Sequence, residues 1–111
     1  MTQIIFRTKD SSVYIQALKE PLVHMLVPIA EECRKWNGDN YVMTITSGND
    51  GKHMKNSLHY KNYAIDIRSK DMRMKEYTLW NLQKKLGKDY DCILEGKNTP
   101  NEHIHIEYDP K

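Results

Sequence analysis

The sequence predicts an α+β domain in which an antiparallel β-sheet carries helices packed on one face. Three observations lead there. Two stretches, residues 20–36 and 71–86, repeat apolar side chains at helical spacing. Around them lie short runs with strand character, TQIIFR, YVMTIT, YAIDIR, DYDCIL and HIHIEY. The last of these separates its faces: His103, His105 and Glu107 point one way, Ile104 and Ile106 the other. An isoleucine face can pack on helices, and it leaves both histidines on the open face of the sheet.

In chain order the elements read β, α, β, β, α, β, β. Residues 2–7 form the first strand. In the first helix Leu22, Leu26, Ile29, Cys33 and Trp36 recur at spacings of four, three, four and three, which makes one apolar face. Pro21 suits its first turn. Pro28 is expected to kink or split it, and Asn37-Gly38 to end it. Residues 41–46 are a second strand, followed by the loop signal Ser47-Gly48-Asn49-Asp50-Gly51. Residues 63–68 are a third strand. The second helix offers Met72, Tyr77, Trp80 and Leu86 as its apolar side, with Gly87 as its stop. Residues 89–94 and 103–108 are close enough in sequence to form an antiparallel hairpin across the loop EGKNTPN.

Length and composition narrow the function classes. A chain of 111 residues is expected to be one domain, 1–111, with one modest core, and to act as a monomer. No stretch approaches the ~20 apolar residues of a membrane span, so no membrane role is expected. The opening MTQIIFRTKD lacks a charged segment followed by a long apolar one, so no signal peptide is expected. A net charge of +2 with mixed signs gives no argument for nucleic acid. Basic residues concentrate at 52–61 and 68–75, either as a solvated surface or as an attraction for a polyanionic substrate. Cys33 and Cys92 form no CxxC pair, which argues against a thiolate metal site and for buried free thiols, with a single bridge between them left open.

The chemistry concentrates in two segments. SLHYKNYAID carries Ser57, His59 and Asp66, and NEHIHIEY carries Glu102, His103 and His105. Imidazoles and carboxylates in this combination supply what a catalytic zinc site needs: protein ligands, an open position for water and a spare carboxylate to take its proton. Asp66 lies between Ile65 and Ile67 in a predicted strand, where a buried carboxylate is costly unless paired or metal-bound. Strand alternation turns it away from those isoleucines, towards the open face. Two carboxylates compete for the role of general base: Glu102, three residues before His105, and Glu95, at the end of the preceding strand.

Ser57-x-His59-x-x-Asn62-x-Ala64-x-Asp66 resembles the S-x-H-x-x-G-x-A-x-D motif of the zinc D-Ala-D-Ala carboxypeptidases and the L-alanyl-D-glutamate endopeptidases of phage endolysins. Thr46-Ser47-Gly48 resembles the T-S-G that precedes this motif, Glu102-x-x-His105 the family's E-x-x-H, and His103-x-His105 its H-x-H variant. The resemblance implies a hedgehog/DD-peptidase-like fold and Zn2+ held by His59, Asp66 and His105. It implies Glu102 as general base, with Glu95 as the alternative, His103 as a transition-state group, and Ser57 as a support for the ligands. It further implies a peptidoglycan stem peptide as substrate, so that a chain made in the cytoplasm would act on the cell wall. Asn62 replaces the motif glycine, and Asn is the next best residue for a left-handed backbone. The arginine that often follows T-S-G is replaced by the segment holding Lys52 and His53, which become candidate substrate contacts together with Ser47. Two other readings stay open: a non-catalytic zinc-containing binding module of the same fold, and a zinc hydrolase with a non-peptide substrate.

Overall fold

The computed structural model describes residues 4–13, 15, 18, 20–48 and 64–110. Its elements are β1 (Phe6–Thr8), α1 (Glu20–Asn37), β2 (Met43–Ser47), β3 (Ala64–Arg68), α2 (Lys75–Leu86), β4 (Tyr90–Glu95) and β5 (His103–Tyr108). The strands form one five-stranded sheet in the order β1-β2-β3-β5-β4. The expected α+β class holds, but the sheet is mixed rather than antiparallel throughout. β1 pairs parallel with β2, and the remaining neighbours run antiparallel. The connection explains this: α1 lies between β1 and β2 in the chain, and a helical crossover returns the chain in the direction it started.

The helices pack on one face of the sheet. Leu22, Leu26, Ile29 and Cys33 of α1 join Leu82 and Leu86 of α2 in one cluster with Met43, Ile45, Ile65, Ile67, Ile104 and Ile106 of the strands. α1 runs unbroken through Pro28. The acceptor that Pro28 leaves without its helical partner is the carbonyl of His24, one turn earlier on the exposed side of α1, where water can replace the missing donor. Cys33 and Cys92 are buried and free. Burial pushes the Cys33 thiol well above its usual range and the Cys92 thiol up to about 12.

The apolar side of α2 differs from the expected one. The helix begins at Lys75 and buries Thr78, Leu82 and Leu86, whereas Tyr77 and Trp80 are 54% and 55% exposed. Tyr77 stacks on Trp36 of α1 with ring centroids 6.0 Å apart, and Lys84 Nζ sits 4.4 Å above the Trp80 ring. Met72 reaches the core from the turn before the helix.

Asn37 ties the two helices together. Its Nδ2 donates to the Cys33 carbonyl at 2.7 Å and to Thr78 Oγ1 at 2.9 Å, and its Oδ1 accepts from the Met74 backbone N–H at 2.9 Å. One buried amide thus closes the last turn of α1 and fixes the entry to α2. Asn37→Ala is expected to lower the unfolding free energy by about 1–3 kcal/mol, because it strands buried polar groups. Urea denaturation at constant m-value checks this, and an unchanged midpoint would show that the tie carries no net stability.

Candidate metal centre

The open face of the sheet is a grid set by strand register. Across β3, β5 and β4, the directly opposed residues are Ala64, Glu107 and Asp91 in one row, Asp66, His105 and Ile93 in the next, and Arg68, His103 and Glu95 in the third. Side chains on one face of a strand come from alternate residues, so burying Ile65, Ile67, Ile104 and Ile106 against the helices turns these groups outward.

Asp66 is the centre of the grid. Its side chain is only 13% exposed, and its carboxylate is shared between two histidines. Oδ1 lies 2.9 Å from His105 Nδ1, and Oδ2 lies 3.7 Å from His103 Nε2. Each imidazole has its other nitrogen held by an oxygen. His105 Nε2 is 2.6 Å from Glu107 Oε1, and His103 Nδ1 is 2.6 Å from the Asn101 carbonyl. His103 Nε2 also lies 2.9 Å from Glu95 Oε1. In metal sites an outer acceptor of this kind fixes a histidine ring and leaves its other nitrogen to bind the ion. Asp66, Glu95 and His103 offer ligand atoms that all lie within 4.8 Å of one another and could hold a metal ion. The half-buried Asp91, Glu107 and Asp109 form a second group of ligand atoms equally close to one another.

His105 lies between the carboxylates of Asp66 and Glu107. Burial works against its charge, but hydrogen bonds to Asp66 and Glu107 outweigh that and raise it from 6.5 to about 9.

Glu102 has a different environment. Its Oε2 accepts from Lys75 Nζ at 2.7 Å and from the Asn98 backbone N–H at 3.0 Å, and its Oε1 accepts from the Ser69 hydroxyl at 2.7 Å. The Lys75 hydrogen bond, then those of Asn98 and Ser69, hold its carboxyl at about 2. A carboxylate so occupied is a poor proton acceptor, and Glu102 is not among the groups gathered around Asp66. In this structure Glu102 anchors the β4–β5 loop to α2, which leaves Glu95 the freer of the two candidate bases. Gly96 serves the same loop. It adopts φ +64, and a Cβ there would meet Thr99 Oγ1 at 3.0 Å and the Asn101 carbonyl at 3.1 Å. That carbonyl is the one that orients His103.

Of the residues singled out from the sequence, the fold therefore brings together Asp66, His103, His105 and Glu95. Ser47 lies opposite Asp66 across β2 and β3, after a register irregularity. Lys52, His53, Ser57, His59 and Asn62 lie outside the described residues. Glu107 was legible as a member of the histidine face but was not assigned a role, and the same alternation that turned Asp66 outward would have found Arg68. Comparison with known proteins adds no name to this geometry: no protein-family model matches the chain, and no curated protein matches it.

Because the Glu102 carboxyl is depressed from 4.5 to about 2, its contribution to stability is fully present above pH 4.5 and is lost as the pH falls towards 2. Glu102→Gln is expected to cost about 1–3 kcal/mol at neutral pH and to flatten the acid fall in stability. Urea midpoints measured from pH 7 down to pH 2 test this. An unchanged acid limb would remove Glu102 from the account.

Proposed function

We propose that this chain is a zinc-dependent peptidase that hydrolyses peptide bonds in peptidoglycan stem peptides. The single observation that carries the reading is the convergence of Asp66 Oδ1 and His105 Nδ1 at 2.9 Å, with Glu107 locking the far side of the imidazole. That pair matches the order and residue types of the zinc D-Ala-D-Ala carboxypeptidase and L-alanyl-D-glutamate endopeptidase motifs. The donor set, imidazole nitrogen and carboxylate oxygen, suits zinc.

Asp66 and His105 would hold the ion together with His59, which lies outside the described residues. Zinc bound there would supply a nucleophilic water at neutral pH and polarise the scissile carbonyl. The chain's own groups do the rest. Glu107 keeps His105 in the tautomer that presents Nδ1. Asn101 keeps the His103 ring turned so that Nε2 faces the reacting region, where it can stabilise charge on the carbonyl oxygen. Glu95, 2.9 Å from His103 Nε2, is the carboxylate placed to take a proton from water and return it to the leaving amine.

A second reading has one observation in its favour. Glu95 falls within the same 4.8 Å group as Asp66 and His103, so it could be a ligand rather than a base. Glu95→Gln separates the two. A base variant keeps about one zinc per chain and loses hydrolysis by roughly 10²–10⁴-fold, whereas a ligand variant loses the metal itself. Zinc stoichiometry on the wild type and on His105→Ala comes first, followed by chelator-sensitive release of peptide termini from purified peptidoglycan. Absence of zinc from the wild type would end the proposal, and zinc without hydrolysis would favour a binding module of the same fold.

Proton linkage gives an independent check. Since His105 is raised to about 9, zinc binding at pH 7 must displace its proton, and affinity should climb as the pH rises towards 9. Calorimetry in two buffers of different ionisation enthalpy should report release of about one proton. No release would mean that His105 is not a ligand.

A further inference from the structure

The outer side of α2 takes no part in the candidate centre. At about 100° per residue, Tyr77, Trp80 and Lys84 fall within about 60° of one another, opposite the buried Thr78, Leu82 and Leu86. Tyr77 and Trp80 are exposed, and the half-buried Trp36 of α1 stacks on Tyr77, so three aromatic rings make one patch. Cations surround it. Lys84 Nζ lies 4.4 Å from the Trp80 ring and Lys35 Nζ 5.5 Å from the Trp36 ring, and Arg73 and Lys88 are exposed just before and just after the helix. Among the described residues none of these four has an ion-pair partner. Glu32 and Glu76, the acids beside Trp36 and Tyr77, are already engaged. Glu32 accepts from Trp36 Nε1 at 2.7 Å and pairs with Lys85 at 3.9 Å, and Glu76 pairs with Lys97 at 3.7 Å. The charge left over is positive, so the complementary occupant is anionic.

The rings narrow the class of anion. A platform for the bases of a nucleic acid needs open ring faces, whereas Lys84 covers one face of Trp80, and Tyr77 and Trp36 are stacked on each other. A bilayer surface needs no open face. Trp and Tyr settle at the level of the headgroups, and lysine amines beside them reach the phosphates. No described helix is long and apolar enough to cross a membrane, and a seat on the surface requires none. We propose that the outer side of α2, with Trp36 and Lys35 of α1, is a docking surface for an anionic lipid bilayer. Docking there would turn the Asp66 cluster away from the membrane, because the helices and the cluster lie on opposite faces of the sheet. The surface needs neither zinc nor a peptide, so it stands or falls separately from the peptidase reading.

Vesicle partition tests this. The full chain is mixed with vesicles of phosphatidylcholine alone or of phosphatidylcholine with an equal part of phosphatidylglycerol, and binding is read by cosedimentation and by tryptophan emission. The wild type should bind the anionic vesicles with a blue shift and should leave the neutral ones largely unbound. Trp80→Ala, at an exposed position, should weaken binding roughly tenfold and remove most of the shift, leaving Trp36 as the remaining reporter. Lys84→Gln should weaken binding roughly fivefold, as expected for one cation at an anionic surface. Failure of the wild type to bind anionic vesicles overturns the proposal. Binding without a blue shift, and equal in Trp80→Ala, would be charge attraction alone and would also overturn it. The same titration with a single-stranded oligonucleotide tests the rival anion: quenching that is lost in Trp80→Ala, without vesicle binding, would place a nucleic acid on this surface instead.

Discussion

The register between β3 and β5 is the constraint on which the candidate centre depends. It sets Asp66 opposite His105 and Arg68 opposite His103, while Ile65, Ile67, Ile104 and Ile106 enter the core. A slip of one residue would reverse every side chain, driving the carboxylate and both histidines into the helices and the isoleucines into water. The cost of that exchange locks the register more firmly than any polar contact on the open face. Hydrophobic burial on one side of the sheet therefore positions the chemistry on the other.

The carboxylates of this face illustrate how surroundings assign roles to one residue type. Asp66 is buried and shared by two imidazoles, so it acts as the hub. Glu107 lies two residues beyond His105 on the same face and secures its ring. Glu95, at the end of β4, meets His103 from the third strand and stays open enough to exchange protons with water. Glu102, one residue before β5, is claimed by Lys75, Ser69 and the Asn98 backbone, and its work is to hold the loop that delivers Asn101. Proximity in sequence to His105 says little about which of these can act as a base, because adjacent residues in extended chain leave on opposite sides.

Behind the sheet, polar contacts add to the apolar faces in joining the two helices. Asn37 links the end of α1 to the start of α2, and the Trp36–Tyr77 stack extends the same junction to the surface. That junction sets where α2 begins, and with it the position of Lys75, the first residue of the helix and the partner of Glu102. The chain of dependence runs from a helix-terminal amide to a salt bridge, to a loop, and to the carbonyl that orients His103.

Much of this was legible in the sequence. Spacing of Leu22, Leu26, Ile29 and Cys33 defined α1 and its buried side, and alternation in HIHIEY separated a histidine face from an isoleucine face, because both periodicities follow from local backbone geometry. The same alternation put Asp66, His103 and His105 on one face, and the expected hairpin of the last two strands brought in Glu95 as a rival carboxylate. Other features depended on partners distant in the chain. The parallel pairing of β1, the continuity of α1 through Pro28 and the exposure of Tyr77 and Trp80 reflect where the crossover and the neighbouring helix lie. Whether Glu102 or Glu95 is free to act depended on Lys75 and Ser69, which lie 27 and 33 residues before Glu102 and meet it only in the folded chain. The sequence by itself determined which residues share a face. Only the tertiary structure decided which of their polar atoms are already engaged, because each hydrogen bond and each desolvation cost is set by neighbours brought in from elsewhere in the chain.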